Sequence, residues 1–290
     1  MKPPPFDYIA PETLAEALEA ARQAGSDAKF LAGGQSLVPA MNFRITQPAL
    51  LIDLNRIPDL DYIRRDDGAG LRLGAMTRQR RLELDPLVAA EAPLLAEAVP
   101  FIAHPQIRNR GTLGGSLAHA DPASELPVIA LALDARLRLV STEGERWVEA
   151  KDFFQGMFTT ALAPEEMLVE VLLPPMPKRS GSAFLEFSRR RGDYALMGVA
   201  AIVRLDEKGA CAEARLVFLN AGDGPLPAPQ AAGMLTGRKI DARTAEAAAA
   251  HAAEKEIEPL GNLHASPSFQ RHLAKVLGRR AILAAAQRAA

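Results

Sequence analysis

Leu31-Ala32-Gly33-Gly34-Gln35-Ser36-Leu37 and Arg108-Asn109-Arg110-Gly111-Thr112-Leu113-Gly114-Gly115-Ser116 are the two stretches that decide how this chain is read. The first follows a short apolar run, Lys29 to Ala32, that reads as a buried strand. A strand ending in paired glycines lets the backbone approach a ligand and turns successive N–H groups toward one point, which suits a phosphate or pyrophosphate. Gln35 and Ser36 add side-chain donors. The second stretch repeats the pattern in a glycine-containing loop, with Thr112 and Ser116 bracketing Gly114-Gly115. Two such loops in one domain can clamp a diphosphate from both sides. Paired glycines also mark ordinary tight turns, so residue chemistry alone leaves both readings open. The Walker spacing is absent, and no Gly-x-Gly-x-x-Gly follows a strand to open a helix, which argues against a P-loop or dinucleotide Rossmann fold.

Outward from these stretches the pattern is mixed. Pro11-Glu12-Thr13 opens an amphipathic helix with Leu14, Ala17, Leu18 and Ala21 on one face, closed by Gly25. Leu50 to Leu54 reads as a strand, and Leu60–Arg64, Asp66-Asp67-Gly68 and Leu71–Gly74 as a hairpin. Arg78 to Ile102 predicts two helices divided near Asp85-Pro86. Asp121 as N-cap and Pro122 at N1 predict a helix carrying Leu126, Ile129, Ala130 and Leu133 inward. Arg136–Val140 and Arg146–Glu149 form a second hairpin, and Met167–Leu173 a further strand. Pro174 to Ser182, rich in proline, glycine and charge, is the best linker. Beyond it come strands at Phe184–Arg190, Gly198–Leu205 and Ala212–Asn220, then helices at Asp241–Glu256 and Phe269–Gln287. The fold class is α+β, with strands and helices partly segregated. The expected domains are residues 1–176, in two subdomains of about 1–55 and 56–176, and residues 177–290.

Composition excludes several functions. With 34 basic and 35 acidic residues and few aromatics, the chain lacks the basic stripe and stacking platform of a nucleic-acid reader. No apolar run is long enough to span a bilayer, and no signal-peptide core follows Met1, so the expected location is cytoplasmic. One cysteine, Cys211, cannot build an iron–sulfur cluster, a zinc site or an internal disulfide, and the five histidines show no metal-binding helical spacing. No metal and no catalytic nucleophile–base pair are expected. Redox chemistry here requires an organic cofactor or a partner chain.

The two glycine stretches, with Gln106-Ile107 before the second and His119-Ala120-Asp121-Pro122-Ala123-Ser124-Glu125-Leu126-Pro127 after it, closely resemble the medium, FAD-binding subunit of the carbon monoxide dehydrogenase and xanthine dehydrogenase family. The resemblance extends through Ile52-Asp53-Leu54-Asn55, Leu73-Gly74-Ala75-Met76-Thr77, Arg189-Arg190-Arg191-Gly192-Asp193-Tyr194-Ala195 and the closing helix from Phe269 to Ala284. It implies an FAD domain of the vanillyl-alcohol-oxidase type in two subdomains, followed by a small C-terminal α+β domain with an antiparallel sheet and helices. By it, Ala32, Gly33, Gly34, Gln35 and Ser36, with Thr112, Gly114, Gly115 and Ser116, hold the pyrophosphate, and Leu31, Leu37 and Gly111 belong to the same cofactor site. Glu125 takes the adenosine ribose with Asp121 close by. Ala75, Thr77, Ile102, Ile107 and Leu168 lie near the isoalloxazine, and Tyr194 stacks on its face. The alternatives are core packing for the apolar residues, an N-cap for Asp121 and a surface ring for Tyr194. Many relatives carry a lysine where this chain has Glu186; an anion there would make flavin reduction harder. His104 and His119 fit loop or capping roles, and the Arg108–Arg110 pair reads as phosphate or partner contacts or as solvated loop charge.

The resemblance further implies a subunit that receives electrons from two [2Fe–2S] clusters on a small partner and passes them to an external acceptor. A large partner holding the molybdenum cofactor performs the substrate chemistry, the whole forming a dimer of heterotrimers. A stand-alone FAD-dependent oxidoreductase is the alternative, and a flavin-less scaffold or another nucleotide-binding module the non-enzymatic one. Substrate (carbon monoxide, a purine, an N-heterocycle) and acceptor are set by neither the motifs nor the composition.

Overall fold

The computed structural model describes residues 2–290. Its first layer is a three-stranded parallel sheet in the order β1 (Asp7–Ile9), β3 (Leu50–Asp53), β2 (Ala28–Leu31). Parallel neighbours need crossovers, supplied by α1 (Leu14–Ala24) and α2 (Leu37–Asn42). The Thr13 hydroxyl accepts from the Glu16 amide and the Glu16 carboxylate accepts from the Thr13 amide, so α1 begins and ends where the sequence predicts. Ala17, Leu18 and Ala21 bury its apolar stripe against Ile52 and Leu54. Strand β2 is half-buried rather than buried, because it is the edge of a narrow sheet and Lys29 faces solvent.

The second layer is a five-stranded antiparallel sheet in the order β4 (Ile63–Asp66), β5 (Gly70–Gly74), β10 (Met167–Leu173), β6 (Arg136–Ser141), β7 (Gly144–Glu149). Leu60, expected in the first strand, instead sits in a buried 3₁₀ turn before β4. Between β5 and β6 lies a helical insert: α3 (Gln79–Leu84), α4 (Pro86–Glu91), α5 (Pro93–Ala98), α6 (Pro105–Arg108), α7 (Leu113–His119) and α8 (Glu125–Ala132). The predicted pair of helices over residues 78–102 is therefore three, because Pro93 breaks the chain as Pro86 does, each opening a new helix at its first position. Helix α8 begins at Glu125 rather than Asp121; Asp121 accepts from the Ala123 amide (2.9 Å) and closes a turn before it. Between β7 and β10 run α9 (Ala150–Phe153), β8 (Phe154–Gly156) and β9 (Thr159–Thr160).

A fully buried Glu170 stands in the middle of this sheet. It accepts from the Tyr62 hydroxyl, from Arg72 at 2.6 Å and from Arg64 at 3.3 Å. Burial, then the neighbouring Glu170, drives the Tyr62 phenol well above its usual range. The register of β10 against β6 slips between Leu168 and Glu170; on its other edge the Val169 carbonyl accepts from the Ala75 amide at 2.9 Å, extending the ladder with β5.

The third layer is antiparallel, in the order β11 (Ser180–Ser188), β12 (Ala195–Leu205), β13 (Cys211–Leu219), β14 (Leu226–Pro227). Ser180 already pairs with Arg204, so the extended linker expected over residues 174–182 ends at residue 179. One face, with Phe184, Ala200, Val217 and Leu219, joins the core of the helical insert. The other, with Ala183, Val199, Ala201 and Phe218, packs on α10 (Pro229–Gly233), α11 (Ala242–His251) and α12 (Pro267–Ala289). Asp241 caps α11 as predicted; the expected continuation to Glu256 is a π-helical turn. Glu97 of α5 accepts from the Phe184 amide (3.3 Å) and from Arg288 of α12 (2.7 Å), tying the layers together.

Glu170→Ala strips two arginines and a phenol of a buried acceptor and should cost about 3 kcal/mol. Urea unfolding checks this as a lower midpoint at unchanged slope; a loss below about 1 kcal/mol would show that the network does not stabilise the sheet.

Candidate functional site

The turn from β2 into α2 carries the first glycine pair. Gly34 has φ of +72°, a backbone conformation that side chains rarely adopt. Among the described residues, the amides of Gly33, Gly34, Gln35 and Ser36 donate no hydrogen bond within the chain. Four consecutive free N–H groups form an anion-seeking concavity. The Gln35 side chain donates to the Gly33 carbonyl at 3.0 Å, so it braces the turn. The Ser36 hydroxyl is exposed, and Leu31, Ala32 and Leu37 are half-buried flanks.

The second glycine stretch is not a free loop. Thr112 caps α7, its hydroxyl accepting from Gly115 at 3.1 Å. Leu113 and Gly114 donate to the carbonyls of Thr77 (2.9 Å) and Ala75 (2.8 Å), and Ser116 to that of Thr112 (3.2 Å). At this second stretch helix formation and the Ala75–Thr77 segment take up the backbone donors, leaving the side-chain hydroxyls. Ser116 keeps a half-buried hydroxyl, 2.9 Å from that of Ser124. The glycines here serve close approach. A Cβ on Gly33 would strike the Arg110 carbonyl and Gly111, and one on Gly114 would lie 2.5 Å from the Ala75 Cβ. Gly111 makes room for the buried Gln79 side chain.

Two residues given no role by the sequence complete this end. Asn55 donates to the Ala32 carbonyl at 3.0 Å, and its oxygen accepts from Arg78, which also donates to the Arg110 carbonyl. One side-chain chain thus ties both glycine stretches together. The only sequence signal was the Asn55 that ends Ile52-Asp53-Leu54-Asn55. Arg108 is neither solvated nor aimed at a ligand: it is buried, paired with Glu83 at 2.8 Å, and donates to the Ile102 carbonyl at 2.7 Å.

Helix α7 is about 10 Å long at 1.5 Å per residue, and at its far end carboxylates gather. Glu125 is only 6% exposed and makes no hydrogen bond to another residue's side chain. Burial pushes it up to about 7; its own backbone amide and Arg108 oppose the shift, and Asp121 adds to it. Glu186, reaching in from β11, has an enclosed Oε2 without a partner and is pushed up to about 8, by burial and then by Glu125. Burial thus disfavours the anion at this position. Tyr194 is 72% exposed, yet its phenol is raised, by crowding protein atoms and then by Asp121 and Glu125. Glu125 and Tyr194, which the resemblance assigned to ribose and flavin, therefore share one neighbourhood.

Ala75, Ile102 and Leu168 lie in the buried core of the helical insert, Leu168 beside the β10 slip. Ile107 is half-buried in α6. Thr77 is fully buried, its hydroxyl donating to the Tyr62 carbonyl at 3.0 Å. Cys211 is buried at the start of β13, where burial raises its thiol. Among the described residues no three potential metal ligands come together. A shallow hollow lined by Arg80, Arg81, Leu84, Asp85, Pro86 and Asn109 includes none of the expected cofactor residues. Four free amides at a glycine turn fit a diphosphate, and a buried carboxylate with no side-chain donor among the described residues fits hydroxyl or N–H groups. The residues present fit FAD.

Comparison with known proteins agrees. Residues 4–176 match the family described as the FAD binding domain in molybdopterin dehydrogenase, and residues 182–285 the CO dehydrogenase flavoprotein C-terminal domain. The chain is 44% identical over 289 residues to the 6-hydroxypseudooxynicotine dehydrogenase complex subunit alpha of Paenarthrobacter nicotinovorans, covering 100% of this chain and 97% of that one. It is 39% identical to the carbon monoxide dehydrogenase medium chain of Hydrogenophaga pseudoflava, covering 100% of both. Among solved structures, carbon monoxide dehydrogenase from Hydrogenophaga pseudoflava, in a form lacking the Mo-pyranopterin moiety of its cofactor, superposes with a TM-score of 0.96 at 39% identity, covering 100% of both chains. Quinoline 2-oxidoreductase from Pseudomonas putida 86 gives 0.95 at 39% identity, covering 100% of this chain and 99% of that one.

Arg78→Ala should free the two glycine stretches from each other without removing any of the four amides. FAD affinity is expected to fall about tenfold, about 1.4 kcal/mol, as measured by fluorescence titration of the full chain. Unchanged affinity would show that the tie between the stretches does not shape the cofactor site.

Proposed function

The chain belongs to the family of FAD-binding subunits of molybdopterin dehydrogenases, and we propose on that premise that it is the electron-relay subunit of a molybdenum hydroxylase. In this reading it takes electrons from [2Fe–2S] clusters of a small partner and delivers them to an external acceptor. A large partner carries the molybdenum cofactor, and the complex is a dimer of heterotrimers. The observation that carries the reading is the free-amide turn at Gly33–Ser36.

Bound FAD supplies the redox chemistry, and the chain supplies binding, orientation and electrostatics. Gly33, Gly34, Gln35 and Ser36 would hold the pyrophosphate through their backbone amides, with Ser116 adding its hydroxyl. Thr112, Gly114 and Gly115 form the abutment that keeps the turn in place, and Gly111 the surface against which Gly33 closes. Leu31, Ala32 and Leu37 flank the turn. Glu125 and Asp121 would accept from donor groups of the cofactor. Ala75, Ile102, Ile107 and Leu168 would exclude water from its apolar faces, with Thr77 as buried support. Tyr194, exposed at the mouth, would shield a ring face from solvent. In this reading the division after residue 176 separates the domain that holds the pyrophosphate from the one that carries Tyr194.

The full chain loaded with FAD should hydroxylate none of the family's substrates alone and gain electron flow only when its partner subunits are added. Steady-state assays with and without the partners check this. Substrate-dependent bleaching of the flavin by the purified chain alone would overturn the relay reading in favour of a stand-alone flavin oxidoreductase.

A further inference from the structure

Ser188 to Tyr194 make a tight connection between β11 and β12. The Ser188 hydroxyl donates to the Arg190 carbonyl at 2.9 Å, and the Asp193 amide donates to the same oxygen at 3.0 Å. Gly192, at φ of +90°, lies flush against the helical insert, where a Cβ would strike the His104 ring and the Ala103 carbonyl. The turn is held in place, and it presents Arg189, Arg190 and Arg191 outward, all three exposed. Arginines elsewhere on this chain find carboxylates, as Arg146 does on Glu166 at 2.6 Å and Arg288 on Glu97 at 2.7 Å. Among the described residues none of these three forms an ion pair. Asp193 is the only acid in the turn, so three positive charges less one leave it at about +2.

Beside it stands a second pinned loop. The Arg189 guanidinium lies 3.1 Å from Nε2 and 3.2 Å from Nδ1 of His264. Asn262 accepts from the His264 and Ala265 amides at 2.8 and 3.0 Å. The Gly261 amide donates to the buried Gln270, which itself donates to the Leu196 carbonyl at 3.0 Å. Leu263, between Asn262 and His264, is 98% exposed, and Tyr194 on the first loop is largely exposed too. Arginine and tyrosine are enriched where proteins dock, and a backbone already fixed lowers the ordering cost of binding. A membrane surface fits less well: a charge of about +2 is worth about 2 kcal/mol there, and such surfaces select clusters of about four to eight basic residues. A small anion would gain nothing from Leu263. A protein with acidic residues around an apolar contact matches the whole patch.

We propose that this patch docks an acidic electron-carrier protein, the external acceptor of the electrons that reach FAD. The proposal rests on the reading of Tyr194 at the mouth of the cofactor site and names the kind of partner that meets it there. Two carrier molecules each take one electron for every FAD reoxidised from its two-electron-reduced form, and the protons released pass to water. The arginines draw the carrier in at long range, and Leu263 fixes it on contact.

Cytochrome c and its succinylated form carry the same haem on surfaces of opposite charge, basic and acidic, and serve as probes. With the FAD-loaded full chain photoreduced without oxygen, stopped-flow traces should show the acidic form reduced about tenfold faster at about 0.01 M salt. The two rates should converge at about 1 M, where the screening length falls to about 3 Å. Replacing all three arginines (Arg189→Gln, Arg190→Gln and Arg191→Gln) should abolish the preference at unchanged flavin content. Leu263→Ser should slow the acidic cytochrome severalfold and leave the rate with ferricyanide, a small anion, unchanged. Equal rates for the two cytochromes, or a preference that survives the triple substitution, would overturn the proposal. So would a Leu263→Ser chain that matches the native one with the acidic cytochrome, the mark of a small-anion site. Co-sedimentation of the native chain with phosphatidylglycerol vesicles at about 0.15 M salt would assign the patch to a membrane instead. A full chain that retains no FAD would overturn the cofactor reading and this proposal with it, whereas the other failures leave that reading standing.

Discussion

The close approach of two backbone segments at Gly33 and Gly111 is the constraint on which the rest depends. No side chain separates the turn after β2 from the Arg110 carbonyl, so the parallel sheet and the helical insert share a wall only one backbone thick. Asn55 and Arg78 lock that wall with hydrogen bonds to one carbonyl on each side. Gly114 repeats the device against Ala75, which is held in turn by the Val169 carbonyl of β10. The amides of Gly33 to Ser36 are left free while the segments that brace them are bonded. Pre-organisation of this sort lowers the ordering cost of binding, since the backbone is already held in the bound conformation.

Electrostatics divide the site into two unlike ends. At the glycine turn, unsatisfied amides and the half-buried Arg78 seek negative charge; Arg78 is itself pushed down, by burial and then by Arg110. At the far end of α7, burial and mutual repulsion make carboxyls costly as anions and favour proton retention or donors from a ligand. A ligand with a diphosphate at one end and hydroxyl or N–H groups at the other matches both. This complementarity belongs to the tertiary arrangement, because Glu125 and Glu186 come from different domains.

Much of the fold was legible locally. Caps such as Thr13 and Asp241, and hairpins about Gly68 and Gly144, act over a few residues, so sequence pattern suffices for them. The second break in residues 78–102 needed Pro93 to be weighed as heavily as Pro86. The site was legible as glycine pairs but not as chemistry: whether an amide is free depends on which carbonyl lies opposite it, and Ala75 and Thr77 are far from Gly114 in sequence. Arg78 and Asn55 were illegible for the same reason, as their partners lie on other segments. The burial that disfavours the Glu186 anion is a property of the seam, so the sequence alone carries no sign of it.

The C-terminal sheet is covered on both faces, by the helical insert on one and by α10–α12 on the other, and its longest strand, β12, is buried over most of its length. Such a sheet has no solvent-tolerant side. Cutting the chain at residues 174–179 would leave two fragments, each with an uncovered apolar surface. The two sequence-defined domains are accordingly one cooperative unit in folding. The amides of β12 should exchange with solvent only through opening of the whole molecule, which makes that strand the natural reporter of global stability.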